Sequence, residues 1–220
     1  MKMSDPNANL KDTISYSSSL DEVPSDAVIE TTVENLEERG FSVVVTDSAG
    51  EALETIRSRI PADMSVMTGH SNTLDEIGFI EYLMDGDHNW ENLRGEIQRI
   101  EDREERQRSR RTALTADYFL GSVNAVARTG ELVAADHGSA RIGAYPYAAE
   151  NLVLVSGSNK IVPDLKTANA RLEKVAYPLE EARAEKAYGT ESSIGKQLIY
   201  RQEIIRGRTT VVLIRGRFGF

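Results

Sequence analysis

Apolar residues recur at helical spacing in Ile29, Val33 and Leu36, which predicts a helix from Ser25 to Arg39 that Gly40 is placed to end. Phe41 to Thr46 is a short apolar run and predicts a buried strand. Ser48 followed by Glu51 fits a capping box, opening a helix that buries Leu53, Ile56 and Ile60 before Pro61 closes it. Met64 to Thr68 predicts a second strand. Thr73 with Glu76 predicts the cap of a third helix, with Leu74, Ile77, Ile80 and Met84 on its buried face. Helices and strands alternating in this way imply an α/β fold, a mostly parallel sheet flanked by helices.

Further along, Trp90 to Arg111 contains EIQRIEDREERQRSRR, where opposite charges sit three or four apart and apolar residues stop after Ile100. This pattern predicts a solvated helix. Asp117 to Val123, Glu131 to Ala135 and Asn151 to Val155 are apolar strand candidates. Pro163 opens a helix with Leu165, Ala168, Leu172 and Val175 as its stripe, and Gln197 to Ile204 and Thr209 to Ile214 are expected as paired strands. Residues 1–23 show no periodicity, so a flexible N-terminal arm is expected before a single α/β domain over residues 24–220.

Composition narrows the chemistry. Of 220 residues 40% are hydrophobic, enough for a sizeable core. No run reaches the roughly 18 apolar residues of a membrane span, and the first twenty residues lack a secretory pattern, so a cytoplasmic protein without membrane contact is expected. A formal charge of −9 opposes non-specific binding to nucleic acid. The chain has no cysteine, which excludes disulfides, a thiolate nucleophile and any cluster or zinc held by its own thiolates.

Several motifs fail on spacing. GTESSIGKQ has five residues between its glycines where a P-loop needs four, and it ends in Gln. Gly69-His-Ser-Asn-Thr73 lacks the last glycine of a nucleophile elbow. His70, His88 and His137 never stand four apart, and Asp85-Gly-Asp87-His88 lacks the later ligands of a calcium loop, so no metal is expected.

Two glycine-containing turns carry more. Gly69, His70, Ser71 and Thr73 lie between a strand and a helix, where free amides suit an anion. Asn124, Gly130, Glu131, Asp136, His137 and Arg141 crowd around another strand end, the usual ligand position in an open α/β sheet. Arg141 suits a carboxylate or phosphate, Lys160 offers a second positive charge, and Glu131, Asp136 and His137 are the acid–base candidates. A hairpin with a polar rim accounts for the second turn equally well.

The order of Thr73 to Gly78, ADYFLGSVNA (116–125), GELV (130–133), NKIVPDL (159–165) and the ending GRTTVVLIRGRFGF resembles the LUD domain family, named for lactate utilisation, from about Asn35 to Phe220. The resemblance implies a fold of the sugar-phosphate isomerase and CoA-transferase superfamily and a small anionic ligand at the strand ends. It also implies an accessory role in oxidising lactate, a 2-hydroxy acid, to pyruvate. Partners implied are iron–sulfur redox subunits, or a second copy of the chain. Many relatives carry a cysteine-rich segment where this chain has AYGTESSIGKQLIY, so any iron–sulfur cluster would belong to a partner. Two alternatives stay open: a non-catalytic docking subunit, or an isomerase- or transferase-like enzyme for a phosphorylated or CoA-linked metabolite.

Overall fold

The computed structural model describes residues 8–220, with Ala8, Asn9 and Tyr188 described by backbone alone. The first half runs α1 (Ala8–Thr13), α2 (Asp26–Glu38), β1 (Ser42–Thr46), α3 (Ala49–Arg59), β2 (Ser65–Thr68), α4 (Asn72–Glu76), α5 (Phe79–Asp85), β3 (Glu91–Asn92), α6 (Leu93–Arg99) and α7 (Arg103–Thr112). The second half runs β4 (Tyr118–Ser122), β5 (Ala125–Ala127), β6 (Leu132–Asp136), β7 (Asn151–Gly157), β8 (Ile161–Val162), α8 (Leu165–Arg171), α9 (Tyr177–Tyr188), β9 (Lys196–Tyr200) and β10 (Thr209–Ile214).

Six strands form the main sheet in the order β1-β10-β7-β4-β2-β3, and every neighbouring pair is parallel. Both faces are covered, as a parallel sheet requires. Leu152, Leu154, Val211 and Leu213 pack with Ile29 and Leu36 of α2 on one side. Val153, Val155, Val212 and Ile214 pack with Ile56 of α3 and with Leu74, Phe79 and Leu83 of α4 and α5 on the other. Burial of each such side chain is worth roughly 1.5–3 kcal/mol before chain entropy is charged against it.

A second sheet, β8-β5-β6-β9, grows from the carboxyl ends of the first, because β5 follows β4 and β8 follows β7 after only a few residues. Its apolar face, with Ala125, Val133 and Val162, packs on Ala168 of α8 and on Leu172 and Ala176 of the π turn that joins α8 to α9.

Four expectations are corrected. The last two strands do not pair: β9 runs antiparallel to β6, whereas β10 lies between β1 and β7. The reason is burial, since all six residues of β10 are buried and suit a central slot, while β9 is half exposed and suits an edge. The third helix is capped by Ser71, whose Oγ accepts the Leu74 amide at 3.3 Å, and it stops at Gly78, whose φ of 77° breaks the run before α5. The charged segment forms two helices, α6 and α7, because the Asp102 carboxylate caps α7 by accepting the Glu105 amide at 2.7 Å. Residues 8–23 are not a loose arm, for Leu10 packs with Val175, Leu179 and Phe220, and Asp21 is fully buried. Residues 1–7 of that expected arm lie outside the described residues. The strand candidates 117–123 and 131–135 both form strands, β4 in the main sheet and β6 in the second.

Gly121 in β4 has a specific reason to lack a side chain. A Cβ there would stand 1.9 Å from the Tyr145 hydroxyl oxygen. That hydroxyl donates to the Ser122 carbonyl at 3.0 Å and accepts the Ser122 amide at 3.2 Å, clamping the end of the strand. Gly121→Val is therefore expected to cost about 1–3 kcal/mol through overpacking, measured by urea unfolding. Wild-type stability in that variant would show that Tyr145 moves aside freely.

Candidate functional site

The parallel strands β2, β4 and β7 end side by side, and the turns that leave them carry Gly69 to Ser71, Val123 to Asn124 and Ser158 to Lys160. Together with the loop after β6 and the first turn of α9 they surround a cavity of about 210 Å3. Strand ends in an open α/β sheet gather loop amides and side chains in this way. The cavity wall includes His70, Ser71, Thr73, Asn124, Asp136, His137, Arg141 and Lys160, all expected from the sequence. It also includes Ser122, Tyr177, Glu180 and Ser193, which sequence reasoning missed.

Arg141 is held by backbone and carboxylate together. Asp136 Oδ2 accepts the Arg141 and Ile142 amides at 2.8 and 2.9 Å, and Oδ1 accepts from Arg141 Nε at 2.6 Å. Arg141 Nη2 donates to the Ala135 carbonyl at 2.8 Å and pairs with Asp136 Oδ1 at 2.5 Å. Burial works against the charge, but the Asp136 carboxylate outweighs it and raises the guanidinium above its ordinary value. No described residue accepts a bond from Nη1, and the side chain is 22% exposed. Gly69 makes this approach feasible, since a Cβ there would stand 2.4 Å from Arg141 Cγ. The two distant turns thus meet.

At the cavity floor Lys160 is 1% exposed, and its Nζ lies 2.9 Å from Thr73 Oγ1, 3.0 Å from Ser122 Oγ and 3.1 Å from the Val123 carbonyl. Burial first, and the Arg171 charge second, push its amine well below the ordinary lysine value. At the rim His70 Nε2 lies 3.0 Å from Asn72 Oδ1 and Nδ1 lies 3.9 Å from Asp75. Burial and the charge of Arg183 hold its imidazole below the usual value, so it favours the neutral form. His137 Nδ1 shares a 2.8 Å hydrogen bond with Ser193 Oγ.

Two expected site residues lie elsewhere. Glu131 faces α2, where its carboxylate pairs with Arg39 at 2.9 Å and accepts from Thr129 Oγ1 at 2.5 Å. Gly130 forms the β5–β6 turn beside Asn35 and Arg39. The hairpin's direction explains both: it turns back toward α2, away from the strand ends, so neither Gly130 nor Glu131 lines the cavity. Asp136 does line it, but both its oxygens are taken by the loop it staples. The amide cradle is also smaller than expected, because α4 has only five residues and Ser71 already accepts from Leu74 and Asp75. Among the described residues no group of three or more His, Cys, Asp or Glu side chains could hold a metal ion. No described helix is long and apolar enough to cross a membrane.

The model of the LUD domain matches residues 29–214, nearly the whole folded chain. The protein belongs to the LUD domain family. Its fold is similar to that of a DUF162 family protein from Deinococcus radiodurans, known from a crystal structure. That similarity has a TM-score of 0.50, 11% sequence identity, and coverage of 87% of this chain and 99% of the other. No curated protein matches. The LUD domain here therefore comprises the all-parallel main sheet, its flanking helices and the whole of the second sheet, with the cavity at their junction.

Proposed function

We propose that this LUD domain protein binds a small organic anion in the cavity and serves as an accessory component in oxidising a 2-hydroxy acid such as lactate to its 2-oxo acid. The observation that carries the reading is Arg141, fixed by Asp136 and pressed against Gly69, with Nη1 left unpaired by any described residue at a wall whose floor is Lys160. A preset guanidinium of this kind suits a carboxylate or phosphate oxygen. The cavity's small volume favours a compact acid over a nucleotide. The site at the carboxyl ends of parallel strands is our reason for grouping the fold with the sugar-phosphate isomerases and CoA-transferases.

Calorimetric titration with lactate, pyruvate, phosphosugars and CoA tests this. Arg141→Ala should weaken the best ligand by about 1.5–3 kcal/mol, roughly ten- to hundredfold, because a charge-assisted pair is lost. Binding as tight as wild type would reject the site.

One observation favours a second reading, docking onto an iron–sulfur redox enzyme. Helix α7 has no buried residue and exposes all of REERQRSRRT except the half-buried Arg106 and Ser109. Since the chain has no cysteine, any thiolate-held cluster would sit in the partner. Co-purification of cluster-bearing subunits with wild type, lost when Arg103, Arg106 and Arg110 become Glu, is expected on this reading. Retention of those subunits would argue against it.

A further inference from the structure

Anion binding at Arg141 does not use the contacts of Lys160 with two hydroxyls at the cavity floor. Lys160 makes no ion pair among the described residues, and its three polar neighbours are two hydroxyls and a carbonyl. The carbonyl of Val123 can only accept. As an ammonium Nζ donates to all three oxygens; once it gives up a proton it presents a lone pair within 2.9–3.0 Å of the two hydroxyls, of which Ser122 Oγ also lies 3.3 Å from the Val123 carbonyl. We infer that Ser122 and Lys160 are a nucleophile and its base, and that Ser122 Oγ attacks the carbonyl carbon of a small carboxylic ester.

Three features select Ser122 over Thr73. Ser122 is 6% exposed against 1% for Thr73, both on the cavity wall, and its hydroxyl is primary and less hindered. Its backbone is clamped on both sides by Tyr145, which fixes the strand end that carries Oγ. Thr73 Oγ1 lies 3.1 Å from Ser122 Oγ and 2.9 Å from Nζ, where it orients the amine as the third member of such a group. The oxyanion has a donor too. Asn124 Oδ1 accepts the Ala135 amide at 2.8 Å, which leaves its Nδ2 hydrogens, unpaired with any described residue, to the cavity. Burial first, and then the positive charges of Arg171 and Lys11, shift Lys160 toward the free amine, against the opposing carboxylates of Glu76 and Asp21.

In the first half-reaction the Lys160 lone pair takes the Ser122 hydroxyl proton as Oγ bonds to the ester carbon. The tetrahedral intermediate collapses, the C–O bond to the alcohol breaks, and the ammonium returns that proton to the leaving alkoxide. Water then repeats the sequence on the acyl-serine, giving the carboxylic acid and restoring Ser122. Every atom is accounted for by ester and water, with no oxidant or reductant. This chemistry does not depend on the anion reading.

The test uses the full chain and a small fluorophosphonate, with peptide mass spectrometry to locate the adduct and p-nitrophenyl acetate to follow acyl transfer. One adduct on Ser122 is expected, absent in Ser122→Ala and formed about a hundredfold more slowly in Lys160→Met. Lys160→Arg, which keeps the donors but has no lone pair to offer, should match Lys160→Met. Because the chain has no cysteine, Ser122→Cys supplies a single thiol. Its alkylation by iodoacetamide should have a pH midpoint below the usual thiol value of about 8.5, and adding Lys160→Met should move that midpoint up. No adduct, an adduct surviving in Ser122→Ala, or a thiol midpoint indifferent to Lys160 overturns the pair. So does a borohydride-fixed adduct of a 2-oxo acid on Lys160 with Ser122 unlabelled.

Discussion

Replacing Arg171 with alanine is expected to remove about 3–5 kcal/mol of stability, the typical result of breaking a fully buried ion pair from one side. Arg171 and Asp21 are both inaccessible to solvent, with Nη2 2.7 Å from Asp21 Oδ1. Nη1 donates to the Asn124 carbonyl, so the same side chain supports the turn that carries part of the cavity wall. Burial lowers the guanidinium to about 10, against the raising effect of Asp21, so it stays charged at neutral pH. Without it Asp21 keeps the Asn159 amide at 2.7 Å, Lys11 at 3.2 Å and the more distant Arg217, and loses its one fully buried cationic partner. For a chain of this size the loss corresponds to a drop in Tm of roughly 6–20 °C. Urea unfolding would measure it. The pair replacement Arg171→Met with Asp21→Leu should recover most of the loss, since no unpaired charge then remains buried. A loss below 1 kcal/mol in Arg171→Ala would mean that Lys11 and Arg217 compensate Asp21 by themselves.

The second large effect concerns pH. Lys160 has a folded-state value well below that of a free lysine, chiefly from burial, whereas in the unfolded chain it titrates near 10.4. Between those two values the unfolded state binds more protons, so stability rises with pH across that window. Wild type should therefore gain stability relative to Lys160→Met as the pH rises from the folded-state value toward about pH 10, with a slope approaching about 1.4 kcal/mol per pH unit, the limit for one proton. Below the folded-state value both forms bind the proton and the difference is flat. Urea unfolding of both proteins at several pH values reads this directly. A stability difference that does not change between pH 7 and 10 would show that Lys160 remains an ammonium in the folded protein.

Legibility from sequence followed the range of the interaction. Ile29, Leu36, Ile56 and Val153 were readable because their partners lie at fixed spacing on the same element or in a run that must be buried. The cap moved from Thr73 to Ser71 because both residues offer a hydroxyl, and only the backbone direction selects one. His70, Asn124, Arg141 and Lys160 could be nominated as strand-end polar residues. Glu131 had the same local credentials and points the other way, toward Arg39. Ser122 was hidden inside an apolar run, with only its polarity at the end of a predicted strand to mark it.

By itself the amino-acid order determined most of the helix and strand segments, the absence of thiol chemistry and membership of an α/β family, because periodicity and composition act over a few residues or over the whole chain at once. Only the folded arrangement decided that β10 enters the middle of the sheet, that Gly69 meets Arg141, and that Lys160 faces two hydroxyls. Those contacts join residues 72, 87 or 38 positions apart. Such separations leave no mark in local pattern, since the same side chains satisfy the same periodicity whichever distant partner they meet.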